Sequence, residues 1–510
     1  MAQVPWSKYQ LAVFDAVMDD EDDRHVLVTA RAGCAKTTTI TEASKRLDDE
    51  IQALMCAFNK EIANELERKV LGNTRVSTLH SLGLKTLQKT WSHVGRLEPT
   101  IQREREIVKK VMPRLAYENS EKRGDVSQLV RMAKAYVYES DKDLEWLMNE
   151  YDCAPTIDAD ENVPLYCKWA RDALELSRTP NPQITFDDMV YVPAYLGLTT
   201  GRYGRVFVDE TQDLNRAQLM LAEHAVSGRG KIVFVGDDRQ AIYGFRGADS
   251  NSIPNIRARF NPRELFLTVT YRCPRKIVEL VQRYVPDFQA APSAPEGVVE
   301  KVNDEYMKAN WKPGDFVIAR LNAVLVSLCM EALANGIPAF MAGRDIGAGL
   351  IKLIERSGCT DIPSLLTWVR QWQSEETRRM VLAEEDESKI TAVTDKANTV
   401  IALTEGRSSI HDLIQFVRGL FGEADKNGGE GRPRLAFMTA HKAKGLENPR
   451  VWMIDSTFRP SKGIEEENLF YVAATRAQQE LYRVYIPKRN KPNAPPLIET
   501  PFDHGEEGVT

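Results

Sequence analysis

Residues 206–215 read VFVDETQDLN, an apolar run that ends in the adjacent carboxylates Asp209 and Glu210. A strand carrying Val206, Phe207 and Val208 would be buried and would hold both carboxylates at its C-terminal edge, where ligands bind in open parallel sheets. Two carboxylates there suit a magnesium–nucleotide site, with Asp209 in the metal shell and Glu210 taking a proton from water. The same pattern also serves as a solvated strand end, so the reading depends on a phosphate cradle elsewhere in the chain. ARAGCAKTTTI, residues 30–40, follows the strand HVLVT and precedes a helical pattern, the order that a phosphate-binding loop requires. Lys36 would reach the β- and γ-phosphates and the Thr37 hydroxyl would ligate Mg²⁺. Ala30 and Ala35 stand where the strict pattern has glycine, and Gly33 remains in the tight part of the loop. If Ala35 adopts positive φ, the strain is about 1 kcal/mol, which weakens nucleotide affinity without abolishing it.

Further along, KIVFVGDDRQAIYGFRGAD is a second apolar run with a polar end. Asp237 and Gln240 sit where they could sense the γ-phosphate. Tyr243, Phe245 and Arg246 follow at once, interleaving aromatic and basic groups as base-stacking surfaces do. A hydrophobic loop packed on the core is the competing account, strongest for Tyr243. Phosphoryl transfer also needs positive charge on the transferring oxygens, which arginine fingers supply. Arg272, in LTVTYRCP after a strand, and Arg476, in EEENLFYVAATRAQQEL on an expected helix, are the candidates. Either arginine alone could equally be a surface ion-pair partner.

The elements that must position these groups form an α/β pattern. At 510 residues the chain should make several domains. Helical spacing over Tyr9–Met18, Thr37–Leu47 and Lys60–Val70 alternates with strand signals at His25–Thr29 and Gln52–Phe58, which predicts a parallel sheet. Charged helical segments dominate residues 90–180, and strands return at ITFDDMV, RVFVDE, KIVFVGD and ELFLTVTYR. A Pro/Ala stretch, DFQAAPSAPEG, marks a junction near residue 290. The expected organisation is two RecA-like parallel-sheet cores in tandem, each with a helical insertion. Residues 1–89 and 181–288 make the first core around an insertion at 90–180. Residues 289–345 and 431–488 make the second around a short insertion at 346–430, and an acidic, Pro-rich tail, expected to be disordered, occupies 489–510.

Net charge is −6, which excludes a wholly basic nucleic-acid-coating protein but not a local basic groove. The seven cysteines are scattered with no close C-x-x-C pair, against a zinc or iron–sulfur site. No segment is long and apolar enough to span a bilayer, and the N-terminus lacks signal-peptide character, so an intracellular location is expected.

In motif order, nearly the whole chain resembles the superfamily 1A DNA helicases of the UvrD/Rep/PcrA-like group. WSKYQLAVFDAV resembles the adenine-reading Q motif, which implies a base contact for Gln10. ARAGCAKTT resembles motif I, which implies nucleotide contacts for Ala32, Gly33, Cys34, Ala35, Lys36, Thr37 and Thr38. CAFNKEIANEL and STLHSLGLKTL resemble motifs Ia and Ib, placing Phe58, Asn59, Thr78, His80 and Ser81 toward DNA. VDETQDLN and GDDRQAIYGFRGAD are similar to motifs II and III. TYRCPRKIVELV resembles motif IV, with Tyr271 stacking on adenine and Arg272 as the first arginine finger. MTAHKAKGLENPRVWMID resembles motif V, with Glu447 toward the ribose and His441 toward DNA, and EEENLFYVAATRA motif VI, with Arg476 the second finger.

Departures are Ala35 for a glycine, Thr38 where many relatives carry arginine, Phe245 where tryptophan is usual, and a shorter second insertion. The resemblance implies two cores that face each other across ATP, Mg²⁺ as cofactor, and 3′→5′ travel on single-stranded or forked DNA with unwinding. Replication or repair proteins are the implied partners, and pathway and oligomeric state stay open. A translocase that strips proteins with little unwinding, and a nucleotide-gated DNA-binding protein with weak turnover, are the alternatives. Too little chain follows Arg476 to expect a nuclease domain.

Overall fold

The computed structural model describes residues 6–112, 120–151, 153, 159–199, 201–242, 252–382, 387–422 and 433–487. The chain divides into two compact units, 1–268 and 269–510.

In the first unit, helix α1 (Lys8–Met18) starts in a capping box between Ser7 and Gln10. Strand β1 (Val26–Ala30), helix α2 (Lys36–Lys45), β2 (Ala53–Ala57), α3 (Lys60–Glu67), β3 (Thr74–Thr78) and α4 (Leu79–Thr90) follow in strict alternation. A two-residue strand β4 (Glu98–Pro99) leads into helices α5 (Ile101–Val111), α6 (Ser120–Tyr136), α7 (Asp141–Glu150) and α8 (Ala159–Arg178). These helices bury Val108, Val126, Leu129, Leu144, Leu147 and Ala170 in one cluster with Leu87 of α4 and with Met189, Tyr191 and Val192 further along the chain. The chain returns through β5 (Gln183–Ile184), which pairs with β4, and α9 (Asp188–Tyr195). A buried ion pair at 2.7 Å, Lys134 to Asp188, fastens α6 to α9. Then come β6 (Tyr203–Val208), α10 (Arg216–Ala225), β7 (Val226–Gly236), α11 (Ser252–Phe260) and β8 (Arg263–Leu267). The main sheet runs β3-β2-β6-β7-β1-β8, with every pairing parallel. All residues of β1 and β2 are buried, as a sheet covered on both faces requires.

In the second unit, β9 (Val269–Thr270) pairs with β10 (Gln289–Ala290) across helix α12 (Arg275–Val281). The main elements are β11 (Val298–Asn303), α13 (Asp304–Asn310), β12 (Phe316–Ala319), α14 (Asn322–Ala334), β13 (Ala339–Ala342) and α15 (Arg344–Arg356). They continue with α16 (Ile362–Leu382), α17 (Glu387–Leu403), α18 (Ile410–Leu420), β14 (Phe421–Gly422), β15 (Leu435–Thr439), α19 (Ala440–Ala443), β16 (Asn448–Ile454), α20 (Ile464–Ala474) and β17 (Ala477–Tyr485). The sheet order is β11-β17-β16-β12-β15-β13-β14, again parallel throughout.

The structure differs from the sequence expectations at three places. ITFDDMV is not one strand: only Gln183–Ile184 pairs, and Asp188 begins α9. The Asp188 carboxylate accepts from the Thr185 N–H at 2.9 Å, and this local bond turns the chain into the helix. ELFLTVTYR breaks at Thr268. Strand β8 pairs with β1 only as far as Ala30, and the Arg31 N–H takes the Leu267 carbonyl, so no partner remains for Thr268 and the chain leaves the sheet. Residues 269–288, with Tyr271 and Arg272, therefore belong to the second unit rather than to the first core. Finally, the helices of the 346–430 stretch share the core of the second sheet. Ala397, Val400 and Ile401 of α17 lie in one cluster with Leu325 of α14 and Phe437 of β15. Asp395, buried on α17, accepts from the N–H groups of Asn322 and Ala323 at 2.9 and 3.0 Å and so caps α14. The tail, 489–510, lies outside the described residues.

Candidate functional site

The phosphate loop spans the turn between β1 and α2. Gly33 has φ 70° and Ala35 has φ 58°, ψ 37°, so the alanine takes the left-handed conformation that a glycine would adopt without strain. Ala32 and Cys34 are buried, while Thr38 is exposed on the first turn of α2. Gln10 is buried. Its side-chain N–H donates to the Thr39 hydroxyl at 3.1 Å, and that hydroxyl donates to the Ala35 carbonyl at 2.9 Å. The Gln10 amide oxygen accepts from the Ser7 N–H at 3.1 Å, so this side chain braces α1 against the start of α2.

Strand β6 delivers the two carboxylates. Asp209 is 5% exposed. One of its oxygens accepts from the Glu210 N–H at 2.9 Å and the other from the Thr37 hydroxyl at 3.3 Å. Glu210 has φ 53°, which turns its side chain out of the strand direction, and its carboxylate meets Lys36 Nζ at 2.9 Å. Burial, then the neighbouring Glu210, raise the Asp209 pKa above the ordinary carboxylate value, and Lys36 opposes this. Burial works against the Lys36 charge, but Glu210, Asp209 and Asp237 outweigh it and hold the ammonium above its ordinary pKa. A buried carboxylate beside a hydroxyl is a pair of hard oxygen donors short of positive charge. Thr37 and Asp209 therefore fit Mg²⁺, which keeps several waters and takes few protein ligands.

Gln240 also belongs to this group. Its amide N–H donates to Asp237 at 2.7 Å, and Asp237 is wholly buried. Two contributors escaped the sequence reading. Arg31, within the loop itself, lies 3.0 Å from Asp237. Gly236 lets Thr211 and Gln212 approach: a Cβ there would sit 2.5 Å from the Gln212 Oε1 and Thr211 Oγ1 atoms. The partners of Arg31 lie some two hundred positions along the chain, so spacing alone offered no signal for it.

The arginines and Glu447 gather within the second unit. Arg272 pairs with Glu447 at 2.5 Å, and Gln478 donates to the same carboxylate at 2.9 Å. Arg476 is 1% exposed and donates to the carbonyls of Val472 at 2.7 Å and Leu446 at 3.1 Å. Burial, then repulsion from Arg272, push its pKa down to about 10. Contrary to expectation, Arg476 is not on the helix: α20 ends at Ala474 and β17 starts at Ala477, so Arg476 occupies the turn between them. Tyr271 is 47% exposed, which leaves its ring face available.

Of the residues expected to face DNA, Phe58 is 52% exposed. Asn59 caps α3 by accepting from the Ile62 N–H at 2.9 Å, and Thr78 caps α4 through the Ser81 N–H at 3.1 Å. His80 is partly buried, which lowers its pKa against a smaller opposing pull from Asp187. His441 lies on α19, and Thr439 caps that helix. Tyr243, Phe245 and Arg246 fall outside the described residues.

A phosphate loop and paired carboxylates on one parallel sheet, with clustered arginines in a second unit built on another parallel sheet, define a protein with two RecA-like domains in tandem. Comparison with known families gives two matches: the UvrD/REP helicase N-terminal domain over residues 15–261 and the UvrD-like helicase C-terminal domain over residues 360–488. The chain belongs to the UvrD-like family of ATP-dependent DNA helicases. It is 21% identical to the probable DNA helicase II homolog of Mycoplasma capricolum subsp. capricolum, over 91% of this chain and 82% of that protein. It is 25% identical to the ATP-dependent DNA helicase PcrA of Staphylococcus aureus, over 51% of this chain but only 38% of that protein. The match to PcrA thus spans well under half of that relative's length.

Proposed function

We propose that the chain hydrolyses Mg-ATP to move 3′→5′ along single-stranded DNA and to open duplex ahead of it. The observation that carries this reading is the contact set Thr37–Asp209 and Lys36–Glu210, which joins the phosphate loop to the paired carboxylates. Thr37 and Asp209 would hold the metal, whose charge neutralises phosphate oxygens in the transition state. Phosphate oxygens would take over from Glu210 as the counter-charge of Lys36. Glu210, released and already turned by its left-handed backbone, then orients water and accepts its proton. Within the second unit, Arg272 and Arg476 are the candidates for the positive charge that a transferring phosphoryl group needs, and Glu447 pairs with Arg272. Arg476 is fixed by carbonyl acceptors rather than by a carboxylate, so its charge is left for an anionic ligand. Phe58 offers a stacking face for bases, and stacking is tolerant of sequence, as a motor on arbitrary DNA requires.

One structural feature favours the second reading, a translocase that strips proteins with little unwinding. Helices α16 and α17 are bound into the second core and do not form a free helical domain. Forked substrates with a 3′ or a 5′ tail, assayed for strand separation beside streptavidin displacement from single strands, distinguish the readings. Separation with the 3′ tail alone is the expected result. Displacement without separation selects the translocase, and dependence on a 5′ tail contradicts the direction. DNA contact implies action inside the cell; among the described residues no helix is long and apolar enough to cross a membrane.

A further inference from the structure

The ATPase chemistry above leaves one buried charged side chain in the phosphate loop without a task. Arg31 is 8% exposed, and a phosphate loop does not need an arginine at that place. Its guanidinium donates to Asp237 at 3.0 Å and also pairs with Asp238. The second Asp237 oxygen accepts from Gln240 at 2.7 Å, and the Asp237 N–H donates to the Gln212 amide oxygen at 2.9 Å. The Gln212 amide nitrogen donates to Glu210 at 2.5 Å, and Glu210 pairs with Lys36 at 2.9 Å. Lys36 and Arg31 stand in the same loop, so the contacts close into a ring: loop, Glu210, Gln212, Asp237, loop.

We propose that Arg31 is a positioning residue that couples occupancy of the phosphate loop to Asp237 and Gln240. The inference rests on the ATPase reading. In a buried polar ring the orientation of each member depends on the others. When a phosphate displaces Glu210 from Lys36, the Glu210–Gln212 leg must shift. Arg31 pins Asp237 to the loop by the other leg, so the shift is delivered to Asp237 and Gln240 instead of relaxing locally. A guanidinium suits this because the planar group holds the N–H bonds of Nη1, which meets both carboxylates, in fixed directions, whereas a lysine ammonium is a point charge on a flexible stem. If Arg31 served only to neutralise Asp237, any cation of similar reach would do.

The test compares wild type, Arg31→Lys and Arg31→Ala for kcat and ATP KM, without and with saturating single-stranded DNA. Arg31→Ala should lose about tenfold or more of the DNA-stimulated kcat while the KM for ATP moves less than about threefold, with Arg31→Lys in between. A wild-type stimulation ratio in both variants overturns the proposal. So does a rise in KM with kcat intact, which would make Arg31 a plain phosphate ligand. Arg31→Ala leaves a wholly buried carboxylate without its cation; should it fail to fold, Arg31→Lys decides by the same criteria. A wild-type chain with no ATP turnover would contradict the ATPase reading instead. The ring is then read from single-strand affinity with and without a non-hydrolysable ATP analogue: a difference in wild type that vanishes in Arg31→Lys supports Arg31, and an unchanged difference overturns it.

Discussion

Ala35 and Glu210 both carry left-handed backbones, with φ 58° and 53°, and they flank the same pair of charges, Lys36 and Asp209. Strain of this kind persists where surrounding structure over-determines it, and here it aims the loop and the Glu210 carboxylate. For Ala35→Gly, relief of about 1–2 kcal/mol is offset by the greater freedom of glycine in the unfolded chain. Stability by urea unfolding should therefore stay within about 1 kcal/mol, and ATP affinity within about threefold. A tenfold gain in affinity would show that the alanine limits the loop. Glu210→Gln keeps the shape of the site but removes its base; ATP binding should persist while DNA-stimulated turnover falls by roughly a hundredfold or more. Wild-type-like turnover would remove Glu210 from that role. Gly236→Ala would drive a methyl into Gln212 and Thr211, with a stability loss of about 1–3 kcal/mol in denaturant titration, and unchanged stability would mean that the two side chains can move aside. Lys36, Thr37, Asp209 and Glu210 were legible because a short spacing encodes each pair. Arg31 and Gly236 were not, because their importance lies in contacts between segments far apart in sequence.

Among the elements, β1, β2 and β6 of the first sheet matched their sequence signals closely, since continuous apolar runs suit a sheet buried on both faces, whereas the edge strand β3 gave no such signal. The boundary at Thr268 was invisible for a related reason: ELFLTVTYR reads as one unbroken strand, and only the end of β1 shows where pairing stops. Arg476 was placed on a helix because its surroundings have helical spacing, yet the Thr475 and Arg476 N–H groups close the last turn on Tyr471 and Ala473. The stretch 346–430, expected as a short helical insertion, packs its apolar residues against α14 and the second sheet. Asp395 tests this directly. Asp395→Ala leaves the first N–H groups of α14 without their acceptor, and should destabilise the second unit by about 1–3 kcal/mol. Calorimetry that resolves the unfolding of the two units reads it, and an unchanged second transition would show that α17 is not a structural part of that core.

At the scale of the whole molecule, the chain belongs to the UvrD-like helicase family, and the helices of its second unit share the core of that unit's sheet. Helices bound into the core cannot rearrange without exposing Val400, Ile401 and Leu403, each 0% exposed. The net charge of −6 further requires that DNA be held by local groups rather than by a general positive field. The central claim is that this chain couples ATP hydrolysis to single-stranded DNA through Lys36, Asp209 and Glu210. Steady-state ATP turnover, with and without single-stranded DNA, in wild type and Glu210→Gln, tests it most directly. The account predicts turnover stimulated by about tenfold or more in wild type and abolished in Glu210→Gln. Turnover indifferent to DNA, or preserved in Glu210→Gln, would contradict it.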